Sequence, residues 1–290
     1  FFFTSSNTYS KLKLKRPKLV PNTGYDFDFE FDANKKKKTG GRPIAPHLTV
    51  SSPFAIKEAY NSIRTKLMFT GKGEKCPIFA VTSSLASDGK TTNAVNLAIS
   101  FAIADQKVLL IDADMRKPSI HRHFNCECKN GLSEVLAGLT SEINLRETDT
   151  DHLKILTAGQ IPPNPAELLY RPRFAELIKT AKAEYDFVFV DLPPVGLISD
   201  ATIAAPHIDS YILVVRMKQS DYRMVQATAE SIEAVGGKIA GIMVNDIEEK
   251  HGSYYYRGKH YGRYGRYGRY GRYYGRYYGK YYGEYYANEE

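Results

Sequence analysis

Nine residues, Ser84–Thr92, combine small side chains, a glycine and a lysine in a pattern that suits phosphate binding. They follow an apolar block, Ile78–Val81, and open a helical pattern that runs from about residue 90 to residue 104. Backbone N–H groups of such a loop would face a phosphate, and the dipole of the helix favours negative charge there. Lys90 would neutralise the phosphates and the Thr91 hydroxyl would bind Mg²⁺. The order of strand, loop and helix therefore predicts a nucleotide site, although a serine replaces the first glycine of the usual GxxxxGK[ST] pattern.

Three aspartates follow two further apolar blocks. Asp112 and Asp114 come at the end of the block that begins at Val108, and Asp191 follows the block Phe187–Val190. Doubly wound sheets bind their ligands at the carboxyl ends of such strands. One aspartate alone could be a helix cap or a solvated turn residue. Three beside one phosphate loop favour a cluster in which one carboxylate binds Mg²⁺ and another accepts a proton from an attacking hydroxyl.

Short apolar blocks alternate with helical patterns between residues 52 and 250, which is the arrangement of an α/β domain. The predicted strands are Ile78–Val81, Val108–Ile111, Leu153–Leu156, Phe187–Val190, Tyr211–Val215 and Ile239–Val244, and the predicted helices are Phe54–Phe69, 90–104, Leu132–Leu139, Arg173–Glu184 and Tyr222–Val235. Strands this uniformly apolar, separated by helices, indicate a sheet covered on both faces. We therefore predict an α/β fold with a doubly wound, mainly parallel sheet.

Composition excludes several classes of protein. The 290 residues are 43% hydrophobic, but no apolar run approaches the roughly 20 residues that a membrane helix needs. Three cysteines, none in a CxxC pair, argue against a disulfide-stapled secreted scaffold and suggest a reducing compartment. The net charge of +8 is uneven, because residues 1–45 carry +6 and residues 251–290 carry +5, which leaves −3 for residues 46–250. Basic ends around an acidic middle favour an anionic membrane surface or an acidic partner over nucleic-acid binding by the middle.

The two ends also differ from the middle in composition, so we predict three parts. Residues 1–45 are interpreted as a flexible basic arm, residues 46–250 as the folded domain, and residues 251–290 as a disordered tail. The tail holds fifteen of the 22 tyrosines and nine glycines, and it has no Leu, Ile, Val, Phe or Met. Within the arm, Lys35–Lys38 is interpreted as a solvated charge run, with binding of anionic lipid as the weaker hypothesis.

Three signatures in this order resemble those of the bacterial tyrosine kinases of capsule and exopolysaccharide systems, which have a fold of the P-loop NTPase type. They are the phosphate loop ending Gly89-Lys90-Thr91, the block Asp112-x-Asp114-x-Arg116, and the hydrophobic-Asp-x-x-Pro block at Asp191 and Pro194. The tyrosine-rich C-terminus completes a similarity that covers about residues 52–286.

The resemblance implies roles for the matching residues. It implies the catalytic residues Asp112, Asp114 and Lys90, with Asp112 as the base; the ATP-binding residues Ser84, Ser87, Asp88, Gly89, Lys90, Thr91, Thr92 and Asn245; and the Mg²⁺ ligands Thr91, Asp114 and Asp191. Asn245 lies where relatives place an adenine-contacting asparagine, and a turn-forming role is the alternative. Ala86 and Ser87 replace the usual Pro-Gly, so Ser87 would be strained if its φ were positive, and nucleotide affinity would fall.

Relatives of this kind phosphorylate one another's tyrosines in a ring whose interface uses an E-x-x-R-x-x-R helix. Glu58, Asn61 and Arg64 fill these places, so Glu58 and Arg64 are the expected interface residues and Asn61 would weaken the ring. The same positions could instead belong to a helix that only covers the core. The implied phosphoacceptors are Tyr254, Tyr255, Tyr256, Tyr261, Tyr264, Tyr267, Tyr270, Tyr273, Tyr274, Tyr277, Tyr278, Tyr281, Tyr282, Tyr285 and Tyr286.

Taken together, the resemblance implies an ATP-dependent protein-tyrosine kinase that autophosphorylates its tail in trans and regulates the synthesis and export of capsular polysaccharide or exopolysaccharide. The implied cofactors are ATP and Mg²⁺. The implied partners are a membrane-bound activator chain or domain, further copies of the chain, and a cognate tyrosine phosphatase, with no nucleic acid expected. The implied location is the cytoplasm, with recruitment to the inner face of the cell membrane.

Other interpretations remain open from the sequence. A partition or septum-positioning ATPase shares the sheet and the aspartate motifs, but such proteins carry an extra lysine early in the phosphate loop, where this chain has Ser83 and Ser84. A nucleic-acid-binding protein could use the Tyr and Arg of the tail for stacking and phosphate contacts, which would leave the nucleotide site unexplained. Four residues have side chains that suit zinc, but their spacing fits no standard site, so an ordinary polar loop is preferred: His121, His123, Cys126 and Cys128.

Overall fold

A computed structural model of the chain describes residues 2–4, 47–71, 73, 75–217 and 219–246. Most of the predicted arm and all of the predicted tail, with its fifteen tyrosines, lie outside these described residues. The predicted division into arm, folded domain and tail therefore stays a prediction.

The described residues form one mixed sheet of eight strands in the order β1-β8-β7-β2-β6-β3-β5-β4. The strands are β1 Phe2–Thr4, β2 Ile78–Ser83, β3 Val108–Asp112, β4 Arg146–Glu147, β5 Leu153–Leu156, β6 Phe187–Asp191, β7 Ser210–Arg216 and β8 Ile239–Asn245. The six inner strands run parallel, whereas β1 and β4 pair antiparallel at the two edges. This confirms the predicted α/β fold with a mainly parallel sheet.

Helices cover both faces of the sheet. They are α1 Phe54–Thr70, α2 Lys90–Ala102, α3 Ile120–His123, α4 Leu132–Ala137, α5 Pro165–Tyr170, α6 Pro172–Glu184, α7 Asp200–Ile203 and α8 Tyr222–Ala234, with a 3₁₀ turn at Ala205–His207. Successive strand residues point to opposite faces. Phe79 and Leu110 accordingly pack in the core layer that α1 and α2 cover, while Ala80 and Ile111 pack in the layer beneath α4, α5 and α6.

The six predicted strands and five predicted helices are all present, with ends that differ by a few residues. The helix predicted at Leu132–Leu139 ends at Ala137, because Gly138 adopts a left-handed φ of 80° and caps it. The sequence analysis predicted no strand in the arm, whereas β1 pairs with Gly241–Met243 of β8. It also missed β4, α3, α5 and α7, which are two to six residues long. Segments this short do not show a helical or strand period.

None of the helices in the described residues is long and apolar enough to span a membrane.

The topology brings the predicted chemical groups to one edge of the sheet. In the middle of the sheet β6 lies between β2 and β3, and in its register Asp191 pairs with Val81 on one side and with Asp112 on the other. The loop that leaves β2 and the two aspartates that end β3 and β6 therefore meet at the carboxyl edge, where ligands bind in doubly wound sheets.

Candidate nucleotide-binding and catalytic site

The loop between β2 and α2 has a conformation that depends on glycine at one position and strains serine at another. Gly89 precedes the first residue of α2 with φ 95°, a value that glycine tolerates at no steric cost. Ser87 has φ 71°, and a left-handed conformation costs a residue with a side chain about 1–2 kcal/mol. The sequence analysis made strain conditional on a positive φ at Ser87, and the structure fulfils that condition.

Carbonyl groups of this loop accept hydrogen bonds from residues at the ends of β7 and β8 and from the segment that follows β7. Gln219 Nε2 donates to the carbonyl of Ala86 at 3.1 Å, and Arg216 donates to that of Ser87 at 3.3 Å. Asn245 Nδ2 donates to the carbonyl of Asp88 at 3.0 Å. The sequence analysis missed Arg216 and Gln219 because no motif links them to the loop. The sequence analysis did not predict this contact of Asn245 with the loop, and the contact with adenine that it did predict stays a prediction.

Ser84 and Asp88, both predicted to bind ATP, are fully buried and engaged with protein groups. The Ser84 and Thr228 hydroxyls are 3.0 Å apart, and Asp88 accepts hydrogen bonds from Leu85 N–H at 3.1 Å and from Ser220 Oγ at 3.1 Å. Burial is the main reason that the pKa of Asp88 lies above its ordinary value. These side chains hold the shape of the loop, so any contact they make with a nucleotide would come from their backbone.

A compact cluster of charges lies where the loop meets the aspartates. Lys90 Nζ is 2.8 Å from Asp114 Oδ2 and 3.3 Å from Asp191 Oδ1. The Thr91 hydroxyl donates to Asp191 Oδ2 at 2.6 Å. Burial alone would lower the pKa of Lys90, but the carboxylates of Asp191 and Asp114 outweigh it and raise that pKa above its ordinary value. Lys90 therefore stays charged, as a residue that faces phosphates must.

Asp112 is fully buried, and only one of its two carboxylate oxygens has a partner. Oδ2 accepts the backbone N–H groups of Ser119 at 3.1 Å and Ile120 at 3.0 Å, while Oδ1 has no hydrogen-bond partner. Burial, and next the charge of Asp191, raise the pKa of Asp112 to about 7. A carboxylate with a free oxygen and a pKa near neutrality is suited to accept a proton at physiological pH.

Oxygen atoms dominate this cluster, which suits magnesium. The Thr91 hydroxyl and the carboxylates of Asp114 and Asp191 are hard donors of the kind that Mg²⁺ binds. Among the residues that the structure describes, no three His, Cys, Asp or Glu side chains converge as a metal site by themselves. Mg²⁺ usually takes one or two carboxylates from the protein and completes its shell with phosphate oxygens and water.

One further ion pair at this edge was not predicted. The Arg116 guanidinium forms a two-point contact with the fully buried carboxylate of Asp200, through Nε at 2.8 Å and Nη2 at 2.9 Å. The contact ties the segment that carries Asp112 and Asp114 to α7. Asp200 is 84 residues from Arg116 and belongs to no recognisable motif, so no sequence signal could have found it.

The predicted interface residues lie on α1. Glu58 is exposed and accepts a hydrogen bond from Asn61 Nδ2 at 2.9 Å. Arg64 is partly buried and donates to the backbone carbonyl and the hydroxyl of Ser100 on α2. Arg64 thus fastens α1 to its own domain, and its part in contacts between subunits stays a prediction.

The cysteines and histidines after Pro118 do not form a metal centre in the described part of the chain. The His123 ring instead stacks on His47 with the two ring nitrogens 3.1 Å apart, and Cys128 Sγ donates to the carbonyl of Gly159. The interpretation of this segment as an ordinary polar loop stays a prediction.

The fold and this site define a nucleotide-binding protein of the P-loop class. A family model described as an AAA domain matches residues 78–240. The tyrosine-protein kinase YwqD of Bacillus subtilis (strain 168) is 35% identical over 226 residues, which are 77% of this chain and 95% of that protein. The kinase domain of the Escherichia coli tyrosine kinase ETK matches with a TM-score of 0.64 at 33% identity, over 72% of this chain and 80% of that structure. The chain belongs to the bacterial protein-tyrosine kinase family, which confirms the resemblance found in its motifs.

The septum-positioning alternative has the same fold but matches less well. The septum site-determining protein MinD of Pyrococcus horikoshii OT3, in a structure with Mg-ADP, is 26% identical with a TM-score of 0.50. That match covers 58% of this chain and 70% of MinD. The tyrosine kinases are closer in both sequence and structure.

Proposed function

We propose that this protein-tyrosine kinase transfers the γ-phosphoryl group of ATP to tyrosines in the C-terminal tail of a neighbouring copy. The observation that supports this most directly is the free, buried Oδ1 of Asp112, whose carboxylate lies at the same sheet edge as Lys90. A general base must have an oxygen available to the proton it removes. The unpartnered oxygen of Asp112 meets that requirement.

The chemistry follows from the difficulty of using tyrosine as a nucleophile. Its hydroxyl has a pKa near 10, so it needs a base at neutral pH. As the phenolic oxygen bonds to the γ-phosphorus, the proton passes to Asp112, and the bond from the γ-phosphorus to the bridging oxygen breaks with its electron pair leaving on ADP. Lys90 offsets the negative charge that develops on the phosphoryl oxygens. A pKa of about 7 makes Asp112 a stronger base than an ordinary aspartate.

The residues that would hold Mg²⁺ are Thr91, Asp114 and Asp191. When bound, the ion would neutralise part of the negative charge of the phosphates. Lys90 contacts both carboxylates, so Asp114 and Asp191 balance the charge of Lys90 in this structure.

The tail is the substrate in this proposal because its composition suits both docking and regulation. Its charge of +5 favours approach to a domain of charge −3. Each phosphate adds a charge of about −1.5 to −2, so about three phosphorylated tyrosines would cancel the charge of the tail and weaken that attraction. Phosphorylation would therefore change how the tail associates with its own and neighbouring domains.

The proposed setting follows the family. The chain would act at the inner face of the cell membrane with a membrane-bound activator, in an oligomer that α1 helps to form, and would regulate synthesis and export of capsular polysaccharide or exopolysaccharide. A cognate phosphatase would return the tail to its unphosphorylated state.

The proposal is tested by incubating the purified chain with Mg-ATP and mapping phosphotyrosine by mass spectrometry. Lys90→Met removes the phosphate-facing charge and Asp112→Asn removes the base, so both should abolish phosphate on Tyr254–Tyr286. Asp151→Asn is the matched control, because Asp151 is exposed in a loop far from the cluster in sequence. Phosphotyrosine that persists in Asp112→Asn at the level of the parent would refute the assigned base.

A switch ATPase with a binding tail is the second candidate, supported by the structural match to MinD. It predicts ATP hydrolysis without phosphotyrosine, even when an activating membrane partner is supplied. The same incubation separates the two, since ADP and phosphotyrosine are measured together.

A further inference from the structure

A buried chain of hydrogen bonds joins the segment before α1 to the phosphate loop. Leu48 N–H donates to Asn96 Oδ1 at 2.8 Å, Asn96 Nδ2 to Tyr60 Oη at 3.1 Å, Tyr60 Oη to Asn93 Oδ1 at 2.8 Å, and Asn93 Nδ2 to the Gly89 carbonyl at 2.9 Å. The side chains come from α1 and α2, and all are nearly inaccessible, with Tyr60 8%, Asn93 3% and Asn96 6% exposed. These five residues are called the relay below.

The direction of every bond in the relay is fixed by its two ends. A backbone N–H can only donate, so Asn96 must turn its oxygen to Leu48 and its amide nitrogen to Tyr60. A backbone carbonyl can only accept, so Asn93 must turn its nitrogen to Gly89 and its oxygen to Tyr60. The Tyr60 hydroxyl therefore accepts from one asparagine and donates to the other. Bonds aligned in this way polarise one another, and each interior member is costly to lose because its partners are buried.

The relay ends at the peptide unit on which phosphate binding depends. The Gly89 carbonyl also accepts a hydrogen bond from the backbone N–H of Asn93 at 3.0 Å. Its orientation is therefore fixed both by the backbone of α2 and by the relay. In a trans peptide the carbonyl and the following N–H point in opposite directions. Fixing the Gly89 carbonyl toward α2 therefore aims the Lys90 N–H away from the helix, in the direction from which a phosphate approaches.

We propose that Tyr60 and Asn93 are positioning residues for the nucleotide, and that α1 and the segment at Leu48 set nucleotide affinity through them. The helix that presents Glu58 to solvent on one side is thus linked to the phosphate loop on the other side, through Tyr60 and then Asn93. A partner or neighbouring copy that shifts α1 would change how the Gly89–Lys90 peptide is held. The inference rests on the proposed function only in requiring that the loop bind MgATP.

The test compares Tyr60 with a second buried tyrosine, Tyr211, whose hydroxyl group lies outside the relay. Tyr60→Phe removes one hydroxyl and keeps the ring. Tyr211→Phe does the same at a fully buried tyrosine whose hydroxyl donates to the carbonyl of Ala201 at 2.7 Å, outside the relay. The dissociation constant of MgATP is measured by calorimetry, and the melting temperature is measured without nucleotide. Tyr60→Phe should weaken binding about 3- to 10-fold, the usual effect of one buried hydrogen bond, while Tyr211→Phe lowers the melting temperature but leaves the dissociation constant unchanged.

Asn93→Ala provides the second variant. It should weaken MgATP binding at least as much as Tyr60→Phe, and the double variant should bind no more weakly than Asn93→Ala alone, because both changes break the same path. An unchanged dissociation constant in Tyr60→Phe, or an equal loss in Tyr211→Phe, would overturn the inference.

These outcomes are separate from those of the proposed function. Suppose that Tyr60→Phe weakens MgATP binding as expected, but the parent chain forms no phosphotyrosine even when an activating membrane partner is supplied. That result would support the inference and refute the kinase proposal. If phosphotyrosine forms but Tyr60→Phe leaves the affinity for MgATP unchanged, the kinase proposal is supported and the inference is overturned. A parent chain that binds no MgATP would overturn both the inference and the kinase proposal.

Discussion

The ion pair between Arg116 and Asp200 predicts an unequal response to the loss of its two partners. Arg116→Met keeps the length of the side chain and leaves the carboxylate of Asp200, 0% exposed, without its cation. Breaking a buried pair this way costs about 3–5 kcal/mol. We expect about 3 kcal/mol, the lower end, since the Arg116 side chain is 38% exposed and water can reach the vacated position. Asp200→Asn leaves a guanidinium that can turn to solvent, and it should cost about 1–1.5 kcal/mol.

Urea unfolding followed by far-UV circular dichroism measures both costs. For a domain of this size, each kcal/mol lost from the free energy of unfolding lowers the melting temperature by about 2–4 °C. The melting temperature of Arg116→Met should therefore lie about 6–12 °C below that of the parent. Lys154→Met is the control, because Lys154 pairs with the exposed Glu147 at 2.7 Å, and surface pairs contribute little to stability. The reasoning is refuted if Asp200→Asn destabilises the protein as much as Arg116→Met, or if Arg116→Met is no worse than the control.

Three other predictions concern single positions. The rate of tyrosine phosphorylation should rise with pH through about 7 and then level off, because the raised pKa of Asp112 keeps this base protonated below that value; a flat profile of initial rates would contradict its role. Gly89→Ala should weaken MgATP binding, measured by calorimetry, at least 10-fold, which is about 1.4 kcal/mol. Gly89 has φ 95°, and an added Cβ would lie 2.2 Å from Asn245 Nδ2. Adding Asn245→Ala to this variant should therefore restore part of the affinity. Gly159→Ala should lower the free energy of unfolding, measured in urea, by about 2 kcal/mol or more. The added Cβ would come within 1.8 Å of Glu134 Oε2, whose carboxylate caps α4. An unchanged free energy of unfolding would contradict this prediction.

The parts of the fold that could be predicted from the sequence are those in which burial requires a recognisable pattern of apolar residues. The three central strands, β2, β3 and β6, are covered on both faces, so nearly every residue in them is apolar. The site was predictable for a related reason, since loops and aspartates that end neighbouring parallel strands must meet at one edge. Lys90, Thr91, Asp112, Asp114 and Asp191 could therefore be placed together from their positions alone.

What the sequence did not predict depends on contacts between distant residues. Asn93 and Asn96 are ordinary polar positions in a helical pattern, and only the packing of α1 against α2 brings Tyr60 between them. Ser84 and Asp88 were predicted as nucleotide contacts because the motif includes them, whereas the structure engages their side chains with residues that lie more than 130 positions later. Such pairings follow from the tertiary fold and leave no local signal.

Transfer of phosphate between copies of the chain is the central claim, and mixing two variants tests it most directly. One chain carries Lys90→Met and keeps its tail tyrosines, and it is labelled with ¹⁵N. The other keeps Lys90 and has all fifteen tail tyrosines replaced by phenylalanine. After incubation with Mg-ATP, mass spectrometry should find phosphotyrosine between Tyr254 and Tyr286 on the ¹⁵N-labelled chain, and none when that chain is incubated alone. A labelled tail that stays unmodified in the mixture, while the parent chain phosphorylates itself under the same conditions, would contradict phosphorylation in trans.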